Sequence, residues 1–309
     1  MPNVLNSVIQ KVQFSEIEKF EVSFSVKRED LIHPEISGNK FRKLKFNIQQ
    51  ALKENHSTIL TYGGAYSNHI AATAAVGKIR GIKTIGVIRG EELGKDLNKT
   101  VANNKTLKFA HDSGMIFHFV SRSDYKLKHS KEFLKGLENK FGTFYNVPEG
   151  GTNKFAVKGC EEILDSYTQK FDTICTAVGT GGTISGLINT AKKHQNVIGF
   201  PALKGDFFVK EIQPYITNKT NWELISDYHF GGYARTSESL IRFINNFKKE
   251  TNIQLDPIYT GKMVFGIVDL IKKGYFAKGS KILAIHTGGL QGIDGINTIL
   301  KKNNSLIIR

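Results

Sequence analysis

A loop rich in glycine and threonine, residues 176–186, has the composition of an anion-binding turn. It follows an apolar stretch typical of a strand and precedes a stretch typical of a helix. Glycine has no side chain, so backbone N–H groups can converge there, and a helix N-terminus adds partial positive charge. Ile184 stands three residues after Gly181, where GxGxxG requires glycine, and no Gly-Lys-Ser/Thr follows. The loop therefore favours a single phosphate over a dinucleotide or a nucleoside triphosphate. Its predicted phosphate ligands are Gly179, Thr180, Gly181, Gly182 and Thr183.

Lys40 follows a Gly38-Asn39 turn at the start of a predicted helix. A lysine held near backbone donors at a helix start can have a lowered pKa, and it then offers a neutral amine to a carbonyl carbon. Most lysines are solvated cations. The position of Lys40 therefore indicates carbonyl chemistry only in combination with other features of the chain.

Ser67, Asn68 and His69 stand where a predicted strand gives way to a predicted helix. The first amides of that helix, with the side chains of Ser67 and Asn68, could bind a carboxylate. Ser67 is equally suited to cap the helix, and both roles are compatible if a substrate carboxylate occupies the helix terminus. We also expect His69 to contact the substrate, although its position favours a packed helix residue over a catalytic base.

Three further loops each carry an aromatic or hydroxyl side chain next to glycine or proline. Tyr233 ends the segment 230–233, Tyr259 lies in 255–262, and Thr287 precedes two glycines. A lone tyrosine is usually a core or rim residue. The Thr287 loop could close the edge of a flat ring.

Short apolar runs alternate with longer amphipathic segments along the chain. Strands are predicted at 58–62, 83–88, 115–120, 143–147, 173–178, 197–202 and 281–285. Long helices between them are predicted at 100–112, 125–140 and 153–168. This alternation predicts parallel sheets covered by helices, with ligands at the carboxyl ends of the strands, where the loops above lie. The glycine-rich break at 149–151 is the predicted crossing between two domains.

The composition is that of an ordinary globular protein of 309 residues with a formal net charge of +15. Its lysines are scattered, and without an Arg-rich tail or a zinc-finger spacing we expect no specific nucleic-acid partner. Two cysteines, Cys160 and Cys175, are too few for a disulfide framework and wrongly spaced for a metal site, so no metal is expected. The N-terminal residues lack a signal-peptide pattern, and the longest apolar stretch is too short to span a bilayer. We expect a cytoplasmic protein with no membrane partner.

A reactive lysine, a cradle for one phosphate and carboxylate-binding amides together indicate pyridoxal 5'-phosphate (PLP). The sequence resembles the fold-type II PLP enzymes grouped as 1-aminocyclopropane-1-carboxylate (ACC) deaminase and D-cysteine desulfhydrase. The resemblance covers nearly the whole chain and is most specific at 38–40, 64–69 and 256–259. It implies an α/β fold of two domains, each with a mainly parallel twisted sheet covered by helices, and a homodimer. Residues 1–43 plus 150–309 would form the large PLP-binding domain, and residues 44–149 the smaller substrate-side domain.

The resemblance also implies roles for individual residues. Lys40 would bind the cofactor covalently and, once freed by the substrate, take the Cα proton. Asn68 would contact the pyridoxal 3-oxygen, Ser67 the substrate carboxylate, and residues 179–183 the phosphate. Tyr233 and Tyr259 would face the substrate, and Thr287 would approach the ring nitrogen. The implied catalytic residues are Lys40, Ser67, Tyr233 and Tyr259.

The pair Tyr259-Thr260 departs from the Tyr-Glu pair of the ACC deaminases in this family. A carboxylate beside the pyridine nitrogen keeps it protonated, whereas a threonine hydroxyl cannot hold that proton so firmly. Opening a cyclopropane ring depends on this electron sink more than expelling a thiolate does. The expected reaction is therefore α,β-elimination on a small D-amino acid, releasing pyruvate, ammonia and sulfide. ACC deamination, β-elimination or β-replacement on another small amino acid, a catalytically silent PLP carrier and a basic nucleic-acid-binding protein stay open as alternatives.

Overall fold

The computed structural model describes residues 7–36, 38–217 and 221–309. Residues 1–6, on which the expectation about a signal peptide rests, lie outside the described residues. Within the described ranges, no helix has both the length and the apolar character needed to cross a membrane.

In the described part of the chain, ten strands form two separate sheets. In chain order they are β1 Ile9–Lys11, β2 Ser23–Lys27, β3 Thr58–Gly63, β4 Lys83–Arg89, β5 Ile116–Val120, β6 Tyr145–Asn146, β7 Thr173–Val178, β8 Asn196–Pro201, β9 Trp222–Leu224 and β10 Lys281–Ile285. The larger sheet has the order β1-β2-β10-β7-β8-β9, and the smaller has the order β5-β4-β3-β6. Only the pair β1–β2 is antiparallel.

The described helices connect these strands. They are α1 Asn39–Lys53, α2 Asn68–Arg80, α3 Leu97–Asn103, α4 Lys105–Asp112, α5 Arg122–Lys126, α6 Lys131–Phe141, α7 Lys154–Cys160, α8 Gly182–Thr190, α9 Phe208–Ile212, α10 Glu238–Thr251, α11 Thr260–Lys272 and α12 Gly292–Lys302. The central strands β3 and β7 are buried along their whole length, as expected for parallel strands covered on both faces. The predicted α/β fold with mainly parallel sheets is thereby confirmed.

The three long helices predicted from the sequence are wrong in their continuity. The segment 100–112 is divided where Asn104 caps α4, and 125–140 is divided where Ser130 caps α6. The segment 153–168 is helical only to Cys160, after which Asp165 caps a short 3-10 turn. In each case a polar side chain binds backbone N–H groups that a continuous helix would have used itself.

The chain enters the smaller sheet from α1 and returns to the larger sheet after β6. The predicted boundary between residues 43 and 44 falls inside α1, which continues to Lys53 and packs against α7. Gly159 allows this contact, because a Cβ there would lie 1.9 Å from the carbonyl oxygen of Arg42. The two sheets follow the predicted division of the chain, but the domain limits themselves stay a prediction.

Candidate active site

Two adjoining cavities are lined by loops that follow strands of both sheets. The inner cavity has a volume of about 60 Å³ and the outer cavity about 420 Å³. The predicted site residues that line both are Lys40, Asn68, Gly179, Thr180 and Tyr259. Those that line only the inner cavity are Gly181, Thr183 and Thr287, and those that line only the outer cavity are Ser67, His69 and Tyr233. Gly182 lines neither but begins the adjacent helix α8.

Gly38 fixes the position of Lys40. It precedes α1 with a φ of +63°, a conformation that favours glycine, and a Cβ there would lie 1.9 Å from the carbonyl oxygen of Thr287. The backbone N–H of Asn39 donates to that same carbonyl at 3.2 Å, and its side-chain amide donates to Thr183 Oγ1 at 2.8 Å. The turn before Lys40 is therefore held against the loop after β10 and against the start of α8.

The surroundings of Lys40 favour its uncharged amine. Burial, followed by repulsion from the Lys43 ammonium, lowers the pKa of Lys40 to about 7. Lys43 lies three residues further along α1, so both amines share one face of the helix. An amine with this pKa is uncharged in a large fraction of molecules at neutral pH and can attack a carbonyl carbon.

Lys43 also completes a cradle of donors around the loop after β7. Its buried ammonium donates to Thr152 Oγ1 at 2.9 Å and to Thr180 Oγ1 at 3.3 Å. Gly181 has a φ of +79° directly before α8. A Cβ on Gly182 would lie 2.9 Å from Thr152 Oγ1 and 3.2 Å from Lys43 Nζ. A helix N-terminus, threonine hydroxyls and one ammonium together suit a dianionic group such as a phosphate.

The N-terminus of α2 forms one wall of the outer cavity. Ser67 Oγ accepts a hydrogen bond from the Ile70 N–H at 3.3 Å, so Ser67 caps this helix and faces the cavity at the same time. The buried Oδ1 of Asn68 has no hydrogen-bond partner among the described residues. A buried polar atom without a partner is uncommon in proteins. The Asn68 amide therefore has capacity left for a ligand.

His69 is a packed and neutral residue. It is almost fully buried, and burial holds its pKa well below the usual range, as do the charges of Lys40 and Lys43. Its Nε2 lies 2.7 Å from Thr61 Oγ1, and that hydroxyl donates to the Val147 carbonyl at 2.9 Å. Nε2 must therefore be the donor, which leaves the unpartnered Nδ1 as an acceptor.

Tyr233 and Tyr259 meet beside the outer cavity. Their ring centroids are 6.3 Å apart in an edge-to-face arrangement. Burial raises the pKa of both hydroxyls above the usual value, so both are protonated at neutral pH and can donate. Gly179 makes room for this pair, because a Cβ there would lie 3.2 Å from the Tyr259 ring.

The sequence predicts that Thr260 lies beside the pyridine nitrogen of the cofactor, but in the structure its side chain does not face either cavity. It is fully buried, lines neither cavity, and donates its hydroxyl to Asp256 Oδ1 at 2.7 Å. Asp256 also accepts from the N–H groups of Ile258, Tyr259 and Thr260, each at 2.8 Å. Burial raises the pKa of Asp256, and these hydrogen bonds oppose that shift. Of the two threonines expected near the ring, Thr260 and Thr287, Thr287 is the one that lines the inner cavity.

The inner cavity is suited to anions rather than cations. Its lining includes Lys40 and Lys43 but no Asp or Glu among the described residues. Across residues 7–36, 38–217 and 221–309, no group of three or more His, Cys, Asp or Glu side chains is arranged to hold a metal ion.

Sequence reasoning missed several charged residues near the site. Lys43 could have been found from its spacing of three after Lys40. Arg89 ends β4 and Glu149 precedes the glycine break, and both line the outer cavity. The role of Asp256 in holding the turn before α11 could not be predicted from the sequence, because it depends on backbone N–H groups that only the folded turn supplies.

The residues present fit PLP. This cofactor requires an amine for its aldehyde, a cradle for one phosphate and polar contacts to its ring. Lys40 would supply the amine, and the start of α8 with Lys43 would supply the cradle. The side-chain amide of Asn68 has an oxygen without a hydrogen-bond partner, and Thr287 adds a hydroxyl to the lining of the inner cavity.

Known proteins resemble this chain over most of its length. A sequence model of the family described as "Pyridoxal-phosphate dependent enzyme" matches residues 9–288. A protein of Rhizobium rhizogenes named 1-aminocyclopropane-1-carboxylate deaminase is 30% identical over 89% of this chain and 89% of its own length. An Arabidopsis thaliana protein named bifunctional D-cysteine desulfhydrase/1-aminocyclopropane-1-carboxylate deaminase is 30% identical over 87% of this chain and 72% of its own length. A crystal structure described as an ACC deaminase homologue superimposes with a TM-score of 0.81 at 27% identity, covering 96% of this chain and 94% of that chain.

Proposed function

Because this chain belongs to the family of pyridoxal-phosphate-dependent enzymes, we propose that it catalyses α,β-elimination on a small D-amino acid such as D-cysteine. The products would be pyruvate, ammonia and, from D-cysteine, sulfide. The preference for a D-amino acid is supported by the Arabidopsis relative, whose name includes D-cysteine desulfhydrase.

The observation that carries this proposal is the lack of a carboxylate among the described residues that line the inner cavity. When bound, PLP supplies an electron sink for the negative charge that develops at the substrate Cα. A carboxylate at the ring nitrogen strengthens that sink, and a hydroxyl such as that of Thr287 does so much less. Expelling a thiolate needs less electron withdrawal than opening a cyclopropane ring, so the lining favours elimination.

The residues around the cavities have complementary roles in this proposal. Lys43, Thr180 and the start of α8 hold the phosphate and fix the orientation of the cofactor. Ser67 and the first amides of α2 bind the substrate carboxylate, which places the Cα near Lys40. The Lys40 amine takes the Cα proton, since a pKa of about 7 suits a general base at neutral pH.

In this proposal Tyr233 and Tyr259, which also line the outer cavity, assist departure of the leaving group. Both hydroxyls carry protons at neutral pH because burial raises their pKa. Either could donate a hydrogen bond or a proton to the departing sulfur. His69 lines the same cavity, but its neutral ring restricts it to accepting a hydrogen bond through Nδ1.

ACC deamination is the second candidate, and the names of the relatives support it. The Rhizobium protein is named for this activity and the Arabidopsis protein for both activities. The same carboxylate site at α2 would accept ACC.

Parallel assays with D-cysteine, L-cysteine and ACC test the proposal. Purified protein loaded with PLP is offered each compound, and the release of sulfide, 2-oxo acid and ammonia is measured. We expect turnover of D-cysteine and little or none of ACC, with Lys40→Ala inactive on every compound. Faster turnover of ACC than of D-cysteine would refute the electronic argument. Wild-type rates in Lys40→Ala would refute the role of Lys40.

A further inference from the structure

Lys262 is a buried cation that the proposed reaction does not use. Only 2% of its surface is exposed, and no carboxylate forms an ion pair with it in the part of the chain that the structure describes. Its ammonium donates instead to the carbonyl oxygens of Gly232 at 2.7 Å, His229 at 2.8 Å and Ala202 at 3.4 Å. Burial lowers the pKa of Lys262, and the charge of Asp256 opposes that shift without forming an ion pair. Burying such a charge is costly unless polar groups replace its water. A lysine buried in this way is expected to have a structural or functional role that offsets the cost of its burial.

Two of these carbonyls belong to the loop that carries Tyr233. Consecutive residues of this loop have positive φ angles: 53° at Phe230, 90° at Gly231 and 113° at Gly232, with 55° at Ala234 after the tyrosine. Residues other than glycine seldom adopt this conformation, and they persist in it only where the surroundings hold them. The Lys262 ammonium binds the His229 carbonyl, which precedes these residues, and the Gly232 carbonyl, which belongs to the third of them.

Lys262 belongs to α11, the helix whose N-cap residue is Tyr259. Tyr259 immediately precedes α11, and Lys262 lies in its first turn. Tyr233 is 47% exposed, so the protein covers its side chain only in part, and the Tyr259 ring is a direct neighbour. The start of α11 therefore positions both tyrosines. Tyr259 is its N-cap residue, and Lys262 in its first turn binds the backbone that precedes Tyr233.

We propose that Lys262 is a positioning residue that holds the loop 229–233 so that Tyr233 stays against Tyr259 at the outer cavity. The geometric part of this inference is independent of the reaction. Its catalytic consequence rests on the proposed function, in which Tyr233 faces the substrate. Lys262 itself lines neither cavity and acts only through the loop.

Hydrogen exchange tests the geometric part without any substrate. The Gly232 N–H donates to the His229 carbonyl and the Arg235 N–H to the Gly232 carbonyl, so both amides report on the loop. In the PLP-loaded protein, Lys262→Met should speed their exchange at least tenfold. Lys27→Met is the matched control: Lys27 is as buried as Lys262, but its ammonium pairs with Asp165 at 2.6 Å, and the loop should exchange as in the wild type. Unchanged exchange in Lys262→Met would overturn the proposal.

A double-mutant cycle tests the catalytic part. The values of kcat/KM for the elimination substrate are measured for the wild type, Tyr233→Phe, Lys262→Met and the double variant. If Lys262 acts through Tyr233, the loss caused by Tyr233→Phe should nearly vanish in the Lys262→Met background. Equal losses in both backgrounds would overturn this role.

Lys262→Gln guards against a variant that fails to fold, since it keeps two N–H donors without the charge. It should recover part of the loop protection and of kcat/KM. If Lys262→Met does not fold, Lys262→Gln carries the test: a loss of kcat/KM with wild-type exchange at Gly232 and Arg235 would overturn the proposal, because residue 262 would then not act through the loop. A wild-type protein that turns over none of the compounds would refute the proposed function, while the exchange experiment would still decide the geometric inference.

Discussion

Replacing Lys43 by methionine is expected to raise the pKa of Lys40. The Lys43 ammonium is one of the causes that lower this pKa to about 7. The two residues are three positions apart on α1, where side chains are about 5–6 Å apart at Cβ. At about 6 Å and an effective dielectric constant of about 20, two unit charges repel by about 3 kcal/mol. That corresponds to about 2 pKa units as an upper value, so we expect a rise of one to two units.

The consequence is measurable as slower reaction of Lys40 with an aldehyde. At pH 7, the uncharged fraction of Lys40 should fall from about one half to between about one tenth and one hundredth. Adduct formation should therefore be about 5–50 times slower at this pH, with its midpoint moved upward. Pyridoxal is the suitable probe because it has no phosphate, so the loss of the phosphate cradle does not enter the rate. Absorbance and borohydride trapping between pH 6 and 10 give the profile.

Two variants control for effects other than charge. Lys43→Arg keeps the positive charge and should keep the midpoint. Lys45→Met removes a lysine of the same helix that pairs with Glu162, and it should leave the midpoint unchanged. A midpoint in Lys43→Met that stays at the wild-type value or falls, or an equal shift in Lys45→Met, would contradict this effect of the Lys43 charge.

Three further outcomes are expected. Gly38→Ala should destabilise the protein by more than about 3 kcal/mol in chemical unfolding, because a Cβ would lie 1.9 Å from the Thr287 oxygen in addition to the cost of its φ. Gly81→Ala has nearly the same φ of +64° but a ψ of 30° where Gly38 has −146°, and no neighbour lies within 4 Å; a loss above about 2 kcal/mol there would contradict the small cost expected for a left-handed residue in open space. His69→Gln should leave both limbs of the pH profile of kcat/KM in place, since the pKa of His69 is well below the usual range; a displaced limb would show that His69 titrates during turnover. Thr260→Val should cost about 1–3 kcal/mol of stability, because the buried Asp256 loses a donor, and Thr260→Ser should restore most of it; equal stability of Thr260→Val and the wild type would argue against this hydrogen bond.

The positions of most strands along the chain, and the loops that carry the site, could be predicted because both depend on local patterns. Apolar runs marked β3, β7 and β10 closely, and glycine next to threonine marked the start of α8. The short strands β1 and β2 were not predicted. Pairing at the edge of the larger sheet, rather than a long apolar run, stabilises β1.

The interruptions of the helices could not be predicted from periodicity. Amphipathic spacing continues through Asn104 and Ser130, so the pattern alone favours one helix. The outcome depends on whether their side chains turn back to the backbone, where Asn104 accepts from the Leu107 N–H at 2.9 Å and Ser130 from the Phe133 N–H at 3.2 Å. Tertiary packing decides between these nearly equal alternatives.

The pair Tyr259-Thr260 shows why a motif must be considered together with its neighbours. Residue 260 predicts substrate preference only if its side chain reaches the cofactor ring. In the structure Thr260 is committed to Asp256, and that carboxylate already accepts four hydrogen bonds. A glutamate at position 260 would add a second carboxyl group beside a buried one whose pKa is already raised. Residue 260 is therefore expected to act on the site through Asp256, whereas Thr287 lines the inner cavity directly, so substitutions at the two positions should affect substrate preference by different routes.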